Sequence, residues 1–240
     1  MELTPIELLQ GIFSLIFVII TFIIAIKILL KYFERRRKEL VYFSLAWIGM
    51  SSPWLPDAIT FILIILTGSP LAPELYFIIG FAFIPALVFC WVKIFVDFVF
   101  TEKQKVIIIL YLIISIIYEI GFWYLFFTDI EQLGVHTTPF QVDFGIFMIA
   151  YFLFIVVLAF VTGTIFSLQS LKIETPTVQL RGKLIFLAFT TFCVAVIIDS
   201  VLGAIDPIWI VVNRIVLMFS GLLFYMGFIM PEWTQKLFIK

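Results

Sequence analysis

The sequence contains few of the side chains on which metal and redox chemistry depends. Its only histidine is His136, and its two cysteines, Cys90 and Cys193, stand far apart in apolar runs without a CxxC motif. A haem with two histidine ligands, a zinc hydrolase with several histidines and a histidine-rich metal transporter are therefore disfavoured. We expect no metal site and no cofactor, two cysteines buried as small apolar residues, and a solvated His136 in a loop.

Motifs of nucleophilic catalysis are also missing. The sequence has no GxSxG, no glycine-rich phosphate loop and no Ser/His pair within its apolar runs. The last apolar run contains no lysine, which removes the attachment point for a retinal of the microbial-rhodopsin type. We predict that the chain is not an enzyme and has no catalytic residues. Proton transfer by a buried Glu119 or Asp199 is the one enzymatic alternative.

Charge is scarce as well. Charged residues make up 13% of the 240 residues, and the formal net charge is -1, with no basic patch that would indicate a nucleic-acid partner. Hydrophobic residues reach 64%, and the mean hydropathy is +1.23, far from the composition of water-soluble domains. No linker or polar block of domain length interrupts the chain. We therefore predict a single membrane domain over residues 1–240, embedded in a lipid bilayer.

Seven apolar segments are long enough to cross a hydrocarbon core of roughly 30 Å as helices. We number them 1 to 7 and place them at 8–30, 41–67, 75–99, 106–127, 143–167, 183–204 and 208–230. The first is too long, and its leader too acidic, for a cleavable signal peptide. The predicted fold class is all-α, a polytopic membrane protein with seven transmembrane helices.

Basic residues predict the orientation of these helices. Lys and Arg gather after segments 1, 3 and 5 and in the tail, beginning with the run ERRRKE after segment 1. The opposite loops carry acids, among them Glu74, Asp129 and Asp206, and no Lys or Arg. The positive-inside rule then puts the N-terminus outside and the C-terminus inside, in the cell membrane. Near the inner ends we expect Lys27 to reach the membrane surface and Lys93 to pair with Asp97 at i+4.

Four ionisable residues lie deeper in the apolar segments: Asp57, Glu119, Asp199 and Arg214. With the predicted topology, all four fall in the outer half of the membrane, roughly 8 to 15 Å below the surface. A charge at the centre of a membrane helix costs about 2.5–3.5 kcal/mol even on insertion scales, so each of these residues needs a partner. We predict that at least one of the three acids pairs with Arg214.

Segment 2 carries a local signal for a break beside one of these acids, in the sequence SSPWLPDA. Pro53 and Pro56 have no N–H to donate, so a helix would leave the carbonyls of Gly49 and Ser52 without their usual partners. We expect the helix to kink or break there and Asp57 to point into a cavity with Ser51, Ser52 and Trp54. A packing kink with a hydrogen-bonded Asp57 is the alternative.

Two further stripes suggest which faces look inward. Segment 4 repeats polar and aromatic residues at helical spacing, and segment 7 opens with Asp206-Pro207 as an expected N-cap. On segment 4 the inward residues would be Tyr111, Ser115, Tyr118, Glu119 and Phe122. On segment 7 they would be Trp209, Asn213 and Ser220, and Arg214 lies beside this stripe. The resulting candidate site, ionic with an aromatic lining, comprises Asp57, Glu119, Asp199, Asn213, Arg214, Trp54, Trp123 and Trp209. For each tryptophan the alternative is a place in the interfacial belt.

The chain resembles the seven-helix N-terminal sensor region of membrane histidine kinases and related prokaryotic seven-transmembrane receptors. The resemblance extends loosely over the whole chain. It rests on ERRRKE followed by LAWIG in segment 2, on IGFAFIP in segment 3 and on MPEW after segment 7. It implies a sensor function, and because no PAS or kinase domain follows Lys240, a separate cytoplasmic signalling partner.

Two classes of function therefore remain open. The first is a receptor-like sensor that binds a small ligand in the outer half of the membrane. The second is a transporter of a small molecule, proton or cation that uses Asp57, Glu119 and Asp199. A pocket closed beneath by apolar side chains would favour binding, and a polar path through the inner half would favour transport. A structural or assembly role is the remaining alternative.

Overall fold

The computed structural model of the protein describes residues 3–201 and 208–238, apart from the side chains of residues 200 and 201. It is about 86% helical. Seven helical stretches in the described ranges are long and apolar enough to cross a membrane. This confirms the predicted all-α class and gives seven candidate membrane spans, which overlap the seven predicted segments. The expected N-cap Asp206-Pro207 lies outside the described residues.

Five of the seven segments are single continuous helices: Pro5–Arg35, Gln104–Thr128, Ile146–Leu171, Pro176–Val201 and Ile208–Ile229. Segments 2 and 3 are each broken in two. Segment 2 consists of Glu39–Ser51, the 3₁₀ turn Ser52–Trp54, and Leu55–Thr67; segment 3 consists of Pro73–Phe81 and Ile84–Val99. Short 3₁₀ turns at Thr101–Lys103 and Ile130–Gln132 and a terminal helix, Glu232–Phe238, complete the helical structure. Segment 6 differs most from its predicted bounds, since it begins at Pro176 rather than at 183.

Six segments form a closed ring in the order 1, 2, 3, 5, 6, 7, in which each packs against the next and segment 7 returns to segment 1. Segment 4 lies outside this ring and packs mainly against segment 3. Its outward face is a row of exposed isoleucines, including Ile113, Ile117 and Ile120. Such a face suits contact with lipid chains, as expected for a helix at the edge of a membrane bundle.

The connections alternate between two ends of the bundle. We call the end that carries 36–38, 100–103, 172–175 and Glu232–Phe238 the basic end, after its lysines and arginines. The other end carries 68–72 and 129–145 and is called the acidic end. Near the basic end, Lys93 Nζ lies 2.5 Å from Asp97 Oδ1, which confirms the predicted i,i+4 pair.

A β-hairpin covers part of the acidic end and was not predicted from the sequence. Strands β1 (Gly134–Thr138) and β2 (Gln141–Phe144) pair antiparallel. Phe140 at its turn is buried against Phe61 of segment 2. The hairpin therefore packs against segment 2 at the acidic end, in a stretch that was expected to be a loop.

The break in segment 2 occurs at the predicted prolines, and both freed carbonyls find donors. The Ser52 hydroxyl donates to the Gly49 carbonyl at 3.0 Å, and the Leu55 N–H binds the Ser52 carbonyl. Ser52 also lies 3.1 Å from the Gly80 carbonyl of segment 3. The expected orientation of Ser52 into a cavity is therefore wrong, because its hydroxyl is needed by the backbone.

Segment 3 breaks in the same manner before Pro85, which frees the carbonyl of Phe81. The Tyr118 hydroxyl of segment 4 donates to this carbonyl at 3.3 Å. Tyr111, two turns away on the same helix, donates to the Pro85 carbonyl at 2.7 Å. The predicted inward face of segment 4 thus supplies donors to a backbone break, and four of its five residues are buried.

Candidate functional site

Arg214 is the centre of a buried network of hydrogen bonds. Only 2% of its surface is exposed. Its Nη2 lies 2.9 Å from Asp57 Oδ2, and its Nη1 lies 3.1 Å from Asp199 Oδ1. Its Nε donates to the Ser14 hydroxyl at 2.9 Å. The predicted pairing of Arg214 with an intramembrane acid is confirmed, and it involves two of the three acids.

Two aromatic residues complete the coordination of the acids. The Tyr76 hydroxyl donates to Asp57 Oδ1 at 2.8 Å, and Trp54 Nε1 donates to Asp199 Oδ2 at 2.9 Å. The guanidinium carbon of Arg214 also lies 5.8 Å from the centre of the Trp54 ring, within cation–π range. We call these six residues, Ser14, Trp54, Asp57, Tyr76, Asp199 and Arg214, the Arg214 cluster. It connects segments 1, 2, 3, 6 and 7.

The two acids differ in their access to solvent or ligand. The Asp57 side chain is 3% exposed, whereas that of Asp199 is 26% exposed. With both carboxylates ionised and Arg214 protonated, the cluster carries one excess negative charge. Asp199 is therefore the group through which a polar or positively charged molecule could reach the cluster.

Asn213 lies beside Arg214 and is completely buried. Neither its Oδ1 nor its Nδ2 has a hydrogen-bond partner among residues 3–201 and 208–238. A buried amide without partners costs about 1–3 kcal/mol, so a bound molecule or water that supplied a donor and an acceptor would be favourable there.

The structure does not bring Glu119 to Arg214. Glu119 is half-buried on segment 4 and accepts a hydrogen bond from Trp123 Nε1 at 3.0 Å. The ion pairs in the described parts of the chain are Lys93–Asp97 and the two of Arg214, so Glu119 is in none of them. Trp209 is 37% exposed at the start of segment 7. Of the three predicted tryptophans, only Trp54 contacts the cluster.

His136 lies half-buried in the hairpin, next to the cluster. Its ring stands perpendicular to that of Tyr76, with 4.6 Å between ring centres. Its Nε2 is buried without a partner in the described chain. Burial lowers the pKa of His136, and a hydrogen bond to the Thr138 backbone offsets this only in part. The expected loop position is wrong, because His136 lies in strand β1, and its side chain is only partly exposed to solvent.

Aromatic side chains fill the ring on the basic-end side of the Arg214 cluster. Phe224 lies 4.9 Å from Trp47 and 4.8 Å from Phe189, measured between ring centres. Phe189 in turn lies 4.9 Å from Trp91. A cavity of only about 20 Å³ remains within this aromatic layer, enough for about one water. The layer separates the cluster from the basic end.

Two members of the cluster escaped the sequence analysis. Ser14 lies on the inward face of segment 1, where Gln10, Ser14 and Thr21 repeat at helical spacing and are all buried. That polar stripe within an apolar helix could have indicated a contact with the buried charges. No sequence feature indicated such a contact for Tyr76, since a tyrosine near a helix start is expected at the membrane interface.

Comparisons with protein-family models, with curated proteins and with solved structures find no match for this chain.

Proposed function

We propose that the protein is a receptor-like seven-helix sensor that binds a small polar or amphipathic ligand at the Arg214 cluster. The supporting observation is the position of the cluster, in which the Arg214 guanidinium group links four segments and Tyr76 joins a fifth through Asp57. A ligand that accepts a hydrogen bond from Arg214, or donates one to Asp199, must change contacts on several helices at once. Binding of this kind converts a local interaction into a shift of the bundle.

The aromatic layer supports binding over transport. A conducting path needs polar groups or water along its length, and Trp47, Trp91, Phe189 and Phe224 close the ring beneath the cluster. The buried Ser220 hydroxyl nearby donates to the Ala188 carbonyl at 2.9 Å. A ligand would therefore enter and leave from the acidic end.

The proposed orientation puts the acidic end outside the cell and the basic end in the cytoplasm. It follows from the Lys and Arg residues of the connections, which the positive-inside rule assigns to the cytoplasmic face of the cell membrane. The ligand would then come from outside, and a separate signalling partner would contact the basic connections and the terminal helix Glu232–Phe238.

A thermal-shift screen of the full chain in detergent tests the proposal. The probes are small amines, amino acids and carboxylic acids, measured on the wild type and on Asp199→Asn. We expect at least one compound to raise the melting temperature of the wild type, because a ligand that binds only the folded state stabilises it by about 2.7 kcal/mol at 100 times Kd. Asp199→Asn should lose that shift.

Asp97→Asn is the matched control, since it makes the same change at an acid paired near the basic end. It should keep the ligand-induced shift. An equal shift in the wild type and in Asp199→Asn would place binding elsewhere and contradict the proposal. Flux of the compound, protons or cations into liposomes that disappears with Asp57→Asn would instead establish a transporter.

A further inference from the structure

An open groove of about 340 Å³ runs between segments 1 and 7 on the outer surface of the ring. Its volume falls within the range of about 300–1,000 Å³ that is common for small-molecule sites. The lining residues are Ile20, Ile23, Ile24 and Lys27 from segment 1 and Met218, Leu222 and Tyr225 from segment 7. Because both segments are candidate membrane spans, this surface faces lipid rather than water.

The groove is apolar along most of its length and charged at one end, as a phospholipid is. Its lining is apolar from Ile20 to Ile24 and from Met218 to Leu222, and its only charge, Lys27, stands at the end nearer the basic connections. Seven residues of helix separate Ile20 from Lys27, a rise of about 10 Å. Part of an acyl chain fits the apolar length, and a charged headgroup fits the lysine.

Lys27 is available to a ligand. Its Nζ lies 5.3 Å from the centre of the Tyr225 ring, a contact that leaves ammonium N–H groups free to donate. None of the ion pairs in the described ranges includes Lys27. An exposed lysine with an aromatic neighbour and no carboxylate is a suitable site for a phosphate oxygen.

The depth of Lys27 also suits a headgroup. Segment 1 has 31 residues, about 46 Å of helix, and so extends beyond a hydrocarbon core of about 30 Å. Centred on that core, Lys27 lies about 10 Å from the midplane, and its long side chain can bring the ammonium towards the phosphates. Lys31 and Arg35 follow at i+4 and i+8, which favours an anionic headgroup over a zwitterionic one.

We propose that this groove binds one anionic phospholipid, with an acyl chain between segments 1 and 7 and its headgroup phosphate at Lys27. The groove lies on the outside of the ring, so this site is separate from the proposed ligand site at the Arg214 cluster.

Native mass spectrometry of the full chain in detergent tests the proposal. The probes are dioleoyl phosphatidylglycerol and dioleoyl phosphatidylcholine, which have the same acyl chains and differ in headgroup charge. We expect the first bound phosphatidylglycerol to have the lower Kd of the two lipids. Lys27→Met should raise that Kd about fivefold, the value of one basic residue near a membrane surface. The Kd of phosphatidylcholine should not change.

Lys105→Met is the matched control, an exposed lysine near the same end on segment 4, and it should leave both values unchanged. Leu222→Trp should fill the groove and raise Kd for both lipids. If far-UV circular dichroism shows that Leu222→Trp does not fold, Met218→Trp is used as the groove-filling variant instead. Equal Kd values for the two lipids would overturn the proposal. So would an unchanged phosphatidylglycerol Kd in Lys27→Met or in the folded groove-filling variant.

Discussion

Arg214 is the residue on which the buried network depends most. Arg214→Met would leave Asp57 and Asp199 without their cation in an apolar environment. Breaking a buried ion pair from one side typically costs about 3–5 kcal/mol. We expect a loss of that size in the free energy of unfolding, measured in detergent by denaturant titration and far-UV circular dichroism.

The combined variant Arg214→Met, Asp57→Asn, Asp199→Asn separates charge from packing. It removes the cation and both anions, so no unpaired charge remains, and it should be more stable than Arg214→Met alone. Lys93→Met is the control, because its partly exposed i,i+4 pair should contribute about 0.5 kcal/mol or less. If Arg214→Met were no more harmful than Lys93→Met, the cluster would not stabilise the bundle.

At this scale, sequence reasoning found the charged residues but not all of their neighbours. Deep charges stand out in an apolar sequence, and the need for partners predicted the pairing of Arg214 with acids. Depth alone could not separate Glu119 from Asp57 and Asp199, because residues at one depth can lie on opposite sides of a bundle. Only the position of segment 4 outside the ring shows that Glu119 is a separate site.

At the scale of single elements, the break in segment 2 depends on Ser52. Ser52→Ala should cost about 1–3 kcal/mol of unfolding free energy, because the buried Gly49 carbonyl loses its donor. In the Pro53→Ala background the same substitution should cost less, since position 53 then has an N–H that can bind this carbonyl. A double-mutant cycle from denaturant titrations measures the difference.

Ser51→Ala is the control for this cycle. Its hydroxyl bonds back to the carbonyls of Trp47 and Ile48 in its own helix, at 3.2 and 3.0 Å, so its loss should matter little. Equal costs of Ser52→Ala in both backgrounds would show that the hydroxyl does not replace the missing proline N–H.

The two breaks show what local sequence can predict. Pro53 and Pro56 are close together beside an acid, and the break that they predicted is present. Pro85 causes a similar break in segment 3, but a single proline in an apolar run does not tell a kink from a continuous helix. The hairpin over 134–144 was missed because its two strands, which pair with each other, are only five and four residues long.

At the scale of the whole molecule, the direction of the chain through the membrane can be tested by cysteine labelling. The background is Cys90→Ala, Cys193→Ala, and single cysteines replace Gln132 at the acidic end or Glu174 at the basic end, both exposed. In intact cells an impermeant maleimide should label Gln132→Cys only, since the positive-inside rule puts the basic end in the cytoplasm. After permeabilisation both should react. The reverse pattern in intact cells would invert the orientation.

The number of helices and their order were predictable at this scale because each segment is long, apolar and separated by charged connections. The sequence did not predict that six segments form a ring with segment 4 outside it, because every segment is apolar enough to face lipid. Which helices pack together depends on details such as Gly49, where an added Cβ would lie 2.3 Å from Leu87 Cβ. Close contacts of this kind leave no periodic signal in the sequence.

The spacing of the cluster along the chain has a consequence for its biosynthesis. Arg214 follows Asp57 by 157 residues, which takes roughly 8–30 s at about 5–20 residues per second. Segment 2 is therefore made long before the cation that neutralises Asp57. Tyr76, only 19 residues after Asp57, is available after about 1–4 s. Its hydroxyl gives the acid a first partner until the last segment arrives and completes the ring.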